Sequence, residues 1–315
     1  MVITQNEIVN GGLGLIGNTP LVRIAQAYDG PGRILAKAEF LQPGGSMKDR
    51  NGYWAIRGAR DAGLLQPGQA VVESTSGNMG AGVAVACACL GHPFIATMSA
   101  GNSIARARLM ESFGATVIRV DQVEGEPGKV TDADVEQARL EARRIADEDG
   151  AYYVDQWHNE FCVDAHYKGL APEVWAQTGG KIDAFVMTVG SGAAFTGAAR
   201  FFKQKSSDIQ CIAVEPDGCA PLSGAAITKP KHMIQGTGYG KVPPRWEEGL
   251  MDFAVTVSDV EAIHWKTLLA KREALHVGYS AAANVCAAAQ VIVSGRLREN
   301  PTVVTLLGDS GTKYE

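Results

Sequence analysis

From about Ala70 onward the chain alternates short runs rich in β-branched residues with helix-length stretches, and nothing else in the sequence restricts the fold as much. The runs at 71–73, 94–98, 116–120, 152–154, 182–189, 209–215, 253–257 and 302–307 read as strands, and 78–90, 103–113, 132–148 and 163–177 as helices. Strand, helix and strand in repetition predict an α/β fold of parallel sheets flanked by helices. Ligands of such sheets bind beyond the carboxyl ends of the strands, where loops enter helices. The acidic, turn-rich stretch 121–129 and the helix after it predict a division into two domains near residue 150. With 315 residues, 46% of them hydrophobic, the chain can fill two cores.

Several function classes drop out at this level. A net charge of −5 with no basic block argues against nucleic acid as a partner. Apolar stretches reach only about ten residues where a membrane helix needs roughly 20, so no span and no membrane partner is expected. Residues 1–10 lack a basic region followed by an apolar one, which predicts a cytoplasmic protein. Cys87 and Cys89 read as buried core thiols. His158 and His166, near Asp155, Glu160 and Asp164, read as surface polarity, and no metal is expected. Gly12-Leu13-Gly14-Leu15-Ile16-Gly17 matches the dinucleotide pattern G-x-G-x-x-G. However, only a short polar stretch precedes it, and Asn18-Thr19-Pro20 follows where the helix should begin.

Three loops carry the chemistry. In Pro43-Gly44-Gly45-Ser46-Met47-Lys48-Asp49-Arg50, Ser46 and Asp49 have capping-box spacing, which predicts a helix through Trp54, Ile56 and Ala59 with Lys48 in its first turn. The positive end of the helix disfavours an ammonium there and favours free amine for attack on an aldehyde. Alone, Lys48 would read as a solvated surface lysine. Glu73-Ser74-Thr75-Ser76-Gly77-Asn78-Met79-Gly80 follows a strand and precedes an Ala-rich helix, so its hydroxyls and amides can converge on a carboxylate. Gly190-Ser191-Gly192-Ala193-Ala194-Phe195-Thr196-Gly197, again between strand and helix, reads as a phosphate cradle. A reactive lysine, a carboxylate loop and a phosphate loop are the parts that hold pyridoxal 5'-phosphate with an amino acid.

In this order the motifs resemble the cysteine synthase and cystathionine β-synthase family, the fold type II (tryptophan synthase β-like) pyridoxal-phosphate enzymes. The resemblance extends to Ile16-Gly17-Asn18-Thr19-Pro20-Leu21-Val22-Arg23, Gln235-Gly236-Thr237-Gly238-Tyr239-Gly240, Gly278-Tyr279-Ser280 and Gly308-Asp309-Ser310-Gly311. It implies a smaller mobile domain at 35–150 and a larger cofactor-binding domain from 1–34 and 151–315. Lys48 would bond the cofactor and then remove the Cα proton. Asn78 would bond the cofactor's phenolic oxygen, and Gly190, Ser191, Gly192, Ala193 and Ala194 its phosphate. Ser280 would face the pyridine nitrogen, with Asp309 and Ser310 behind it. Thr75, Ser76, Met79, Gln156 and Gly236 would bind substrate.

The resemblance also implies the reaction. A neutral hydroxyl at Ser280 leaves the ring a weaker electron sink than a carboxylate would, which favours loss of a Cβ group over a long-lived carbanion. The expected activity is β-replacement on an activated serine, O-acetylserine or a related donor, through an aminoacrylate to which sulfide adds to give L-cysteine. Cystathionine β-synthase, 2,3-diaminopropionate synthase and cysteine desulfhydrase activities stay open. So do two readings of other classes, a nicotinamide-dependent dehydrogenase using 12–17 and a non-catalytic relative that binds a peptide. A homodimer is implied, and a serine acetyltransferase C-terminal tail is a further partner the family suggests. Four positions depart from the family pattern. Met79 stands where Thr is usual, and Ala193 and Ala194 stand where Gly and Thr are usual; Thr196 or water is the expected substitute for the phosphate donor lost at Ala194. Ala282 stands where cysteine synthases commonly carry Gly.

Overall fold

The computed structural model describes residues 8–314, so residues 1–7 of the N-terminal stretch lie outside it. The chain divides into two compact units. One comprises 17–41 and 163–314, the other 8–16 and 42–162. The expected smaller domain began at 35 and ended at 150. Residues 35–41 instead belong to the larger unit because Arg33–Lys37 is a strand of its sheet, and 8–16 group with the smaller one.

In the larger unit, β1 (Leu21–Ile24), β2 (Arg33–Lys37), β7 (Ala184–Thr188), β8 (Gln210–Pro216), β9 (Phe253–Val257) and β10 (Thr302–Leu306) form one sheet. Its order is β1-β2-β10-β7-β8-β9, parallel except for the β1–β2 pair. Across it lies helix α9 (Tyr279–Val293), whose Ala281, Ala282, Val285 and Ala288 pack on Ile34, Val186, Ile212 and Val303 in one buried cluster. A helix so apolar on every side must be buried. Helices α6 (Ala171–Thr178), α7 (Ala193–Lys205) and α8 (Asp259–Glu273) complete this unit.

In the smaller unit, β3 (Val71–Ser74), β4 (Phe94–Ser99), β5 (Thr116–Val120) and β6 (Tyr152–Tyr153) form a wholly parallel sheet, order β5-β4-β3-β6. Helices α1 (Lys48–Asp61), α2 (Asn78–Leu90), α3 (Ile104–Ser112) and α4 (Asp132–Asp149) belong to it. Helix α4 sets Ala142 and Ile145 against Val72 of β3.

Several expectations change. Strands β1 and β2, too short to show an alternating pattern, were not read from the sequence. The single helix expected at 163–177 is three pieces: α5 (Glu160–Asp164), a π-helical stretch (Ala165–Leu170) and α6. Residues Gly12–Leu15 form a 3-10 turn, not the strand-to-α-helix turn of the dinucleotide pattern, and no strand precedes it among the described residues. Cys87 is buried as expected, but Cys89 is exposed. His158 pairs with Asp155 at 2.8 Å, and no cluster of metal-ligating side chains occurs among the described residues. No helix among them is long and apolar enough to cross a membrane.

Candidate active site

The expected site residues fall into two groups, one in each unit. In the smaller unit Lys48 is the first residue of α1. The capping box does not form. The cap position is Met47, Ser46 Oγ accepts from the Lys48 amide at 3.2 Å, and the Asp49 carboxylate turns back to the Gly44 amide. Ser46 sits one residue too early to reach the third helical amide. Genuine capping boxes form instead at Thr131/Asp134 and Ser258/Glu261.

Helix α1 is held to α2 by close glycine contacts. A Cβ on Gly52 would stand 2.3 Å from the Gly82 backbone, and one on Gly82 would stand 2.3 Å from the Lys48 carbonyl oxygen. Only glycine lets the two backbones approach so closely. The lysine-bearing turn is thereby fixed against the helix that begins at Asn78.

Burial holds the Lys48 ammonium below the ordinary lysine range, against a smaller opposing pull from the Cys162 thiol. Burial pushes that thiol up to about 12. Among the described residues no carboxylate pairs with Lys48, so the amine is biased toward its neutral, nucleophilic form.

The loop after β3 places its donors as the sequence leads one to expect. The Thr75 hydroxyl accepts from the Gly80 amide at 3.0 Å and the Gly77 amide at 3.4 Å, which leaves its proton free to donate. Gly77 caps α2, and the first amides of that helix, Asn78 and Met79 among them, lie where an α-helix has no carbonyl of its own to offer. Arg106 Nη1 fixes the turn by donating to the Ser76 carbonyl at 3.3 Å. Gln156, just past β6, donates its side-chain amide to the Glu73 carboxyl at 3.2 Å. Sequence reasoning missed Glu73 as a partner because the two are 83 residues apart.

In the larger unit the loop 190–194 leads from β7 into α7. Gly190 lies so close to the glycine loop that a Cβ there would stand 2.4 Å from the Gly236 carbonyl oxygen. The Gly238 amide donates to the Val189 carbonyl at 3.1 Å, fixing that loop beside the strand end. Gly192 caps α7 with φ 87°, and no acidic side chain occupies the first helical turn. Amides aimed outward at the positive end of a helix, with no acid among them, make a cradle for a phosphate-sized anion. Thr196 does not replace the donor lost at Ala194, because its hydroxyl donates to the Arg245 carbonyl at 2.8 Å.

Ser280 is the second residue of α9 and half-buried. Asn284, one turn on, accepts from the Thr188 amide at 2.6 Å and donates to the Leu306 carbonyl at 2.9 Å. It ties the start of α9 to the carboxyl ends of β7 and β10. Asp309 is buried, and Gly278 donates its amide to the Asp309 carbonyl at 3.0 Å. Ser310 shares a hydrogen bond with Thr312 at 2.9 Å.

Comparison with known proteins agrees with these features. The family model described as pyridoxal-phosphate dependent enzyme matches residues 13–309. Cysteine synthase 1 of Neurospora crassa is 35% identical over 98% of this chain and 82% of its own length. Cysteine synthase A of Salmonella typhi is 34% identical over 95% of this chain and 91% of its own. Among solved structures, O-acetylserine sulfhydrylase isoform 3 of Entamoeba histolytica superposes with a TM-score of 0.90 and 29% identity, covering 100% of this chain and 92% of that one. A match from the first glycine turn to Asp309, joined to the same fold, leaves one assignment: the chain belongs to the pyridoxal-phosphate dependent enzymes, in their fold type II class, and its cofactor is pyridoxal 5'-phosphate.

Proposed function

We propose that this enzyme is a cysteine synthase, replacing the Cβ group of an activated serine, O-acetylserine or a close analogue, with sulfide. The observation that carries the reading is the pairing of a desolvated lysine without a carboxylate partner with a loop of outward amides free of acid. The curated relatives that cover nearly the whole chain bear that activity in their names.

The residues present fit the cofactor. The amides of 190–194 suit its phosphate, because Gly192 at φ 87° caps α7 with no acidic side chain in the first turn. Asn78 would bond its phenolic oxygen, Ser280 its ring nitrogen, and Lys48 its aldehyde carbon, with Asp309 and Ser310 behind the nitrogen. When bound, the cofactor supplies an electron-withdrawing ring conjugated to Cα of the amino acid.

The protein's own groups do the rest. Thr75 and Ser76 donate hydroxyl protons to the substrate carboxylate, and the Met79 amide and the Gln156 side chain add two further N–H donors. Gly236 leaves room beside the substrate. Lys48, whose amine burial biases toward the neutral form, takes the proton from Cα on its Nζ. The neutral Ser280 hydroxyl would not hold the ring nitrogen protonated, which would favour loss of a Cβ leaving group over a long-lived carbanion. Once sulfide has taken that group's place, the protonated Lys48 Nζ would return the proton to Cα. Met79 places an unbranched thioether where a hydroxyl would otherwise sit, which bears on the choice of leaving group.

We further infer a homodimer resident in the cytoplasm, with a serine acetyltransferase tail as a candidate partner. The functional test is a titration of the purified holoenzyme with O-acetylserine, O-phosphoserine, serine and cysteine, followed by cofactor absorbance and by cysteine formation on adding sulfide. The reading requires O-acetylserine or O-phosphoserine to shift the spectrum and sulfide to restore it with release of cysteine. A spectrum that no β-substituted serine moves would leave a binding role instead.

A further inference from the structure

Glu73 is 1% exposed, on β3 directly before the loop that begins the substrate site. Its carboxyl accepts from the Gln156 side-chain amide at 3.2 Å, and the backbone amides of Asp155 and Gln156 nearby favour its charged form against burial. Asp155 sits at φ 46°, a left-handed conformation that an L residue seldom adopts without support. The second carboxyl oxygen, Oε2, is buried with no hydrogen-bond partner among the described residues. A group serving packing alone would be better replaced by a neutral one, since an unsatisfied buried oxygen opposes folding.

We propose that Glu73 is a positioning residue for substrate, its carboxyl orienting the Gln156 amide so that the second N–H of that amide is left for the substrate carboxylate. The inference rests on the assignment of Gln156 to the substrate carboxylate made above. A primary amide carries two N–H donors and one carbonyl. Glu73 Oε1 accepts in either protonation state, so it selects the NH2 end of Gln156 and turns the amide oxygen away.

The same contact makes substrate binding sensitive to pH. The ionisable groups that act on or with Glu73 are Asp155, Tyr152 and Tyr153 of β6, and the Cys162 thiol of α5; Lys48 acts on that thiol, and Arg139 and Arg143 of α4 act on Tyr153. Burial pushes Glu73 up to about 8. Below that pH it is neutral and merely orients Gln156. Above it, a buried negative charge stands behind the amide that receives an anionic substrate, and binding weakens.

The test uses holoenzymes of wild type, Glu73→Gln, Glu73→Ala, Gln156→Ala and the Glu73→Ala/Gln156→Ala double variant. The dissociation constant of unreactive L-alanine is read from cofactor absorbance at several pH values either side of 8, alongside KM and kcat for O-acetylserine. Gln at 73 keeps the acceptor oxygen and cannot ionise. We expect the ratio of wild-type to Glu73→Gln dissociation constants to rise by about tenfold across that range. Glu73→Ala should raise KM by roughly tenfold with kcat changed less than about threefold, and should add nothing to Gln156→Ala. A constant ratio of wild type to Glu73→Gln, or additive losses in the double variant, overturns the role of Glu73 while leaving the assignment of Gln156 intact. Wild-type binding by Gln156→Ala overturns both. Should Glu73→Ala not fold, the pH profile of Glu73→Gln decides alone.

Discussion

At Lys48 burial acts on a base and at Glu73 on an acid, and in both it favours the neutral form. For Lys48 the consequence is chemical: a larger share of free amine than an exposed lysine has. Lys48→Ala should lower kcat by roughly 10²–10⁴-fold or more, with the fold retained, as checked by steady-state assay and circular dichroism. For Glu73 there is also a consequence for stability. Its folded-state pKa of about 8 exceeds the ordinary 4.5. The folded state therefore holds a proton that the unfolded state has released, and stability falls as pH rises between those values. The loss is of order a few kcal/mol, and Glu73→Gln should remove it, so that the variant gains on wild type in denaturant midpoint between acidic and alkaline buffers. Of these two residues the sequence exposed only one. Lys48 stood out because a lysine in a Gly-rich helix start is a local pattern. Glu73 reads as an ordinary strand residue until a partner 83 positions away is known.

Helices α1 and α2 meet through Gly52 and Gly82, and α7 starts where Gly190 meets the glycine loop. A methyl group at either place collides with backbone, which cannot move aside as a side chain can. Gly82→Ala should cost about 1–3 kcal/mol in chemical denaturation and disturb Lys48, whose carbonyl oxygen is the first atom struck. Gly190→Ala should leave the denaturation midpoint of the cofactor-free protein less affected than its affinity for pyridoxal phosphate, measured by absorbance titration. At this scale strand–helix alternation gave away the parallel sheets and the three loops after β3, before α1 and after β7. It did not reveal β1 and β2, which are four and five residues long; β2 gains its identity from pairing with distant β10, and β1 from pairing with β2. Nor did it reveal the π-helical stretch at Ala165–Leu170, since the apolar spacing there is compatible with a regular helix. The mistaken capping box at Ser46 shows that residue types at the right spacing do not fix which residue begins a helix.

For the molecule as a whole, the cofactor is a ligand of the folded state and should stabilise it. Saturation at about 100 times its dissociation constant corresponds to about 2.7 kcal/mol, seen as a higher Tm of holoenzyme than of apoenzyme. The order of motifs along the chain was readable because the loops at 73–80 and 190–197 lie at strand-to-helix turns, where chain order and chemistry coincide. Departures such as Met79 and Ala194 were readable as substitutions, but the fate of Thr196 was not, because its Arg245 acceptor is 49 residues away. All of the proposed chemistry rests on one bond, between pyridoxal phosphate and Lys48. Borohydride reduction of the cofactor-replete protein, followed by peptide mapping, tests it directly. The account predicts a single pyridoxyl-labelled peptide carrying Lys48, absent from Lys48→Ala; a label on another lysine, or none on competent protein, would contradict it.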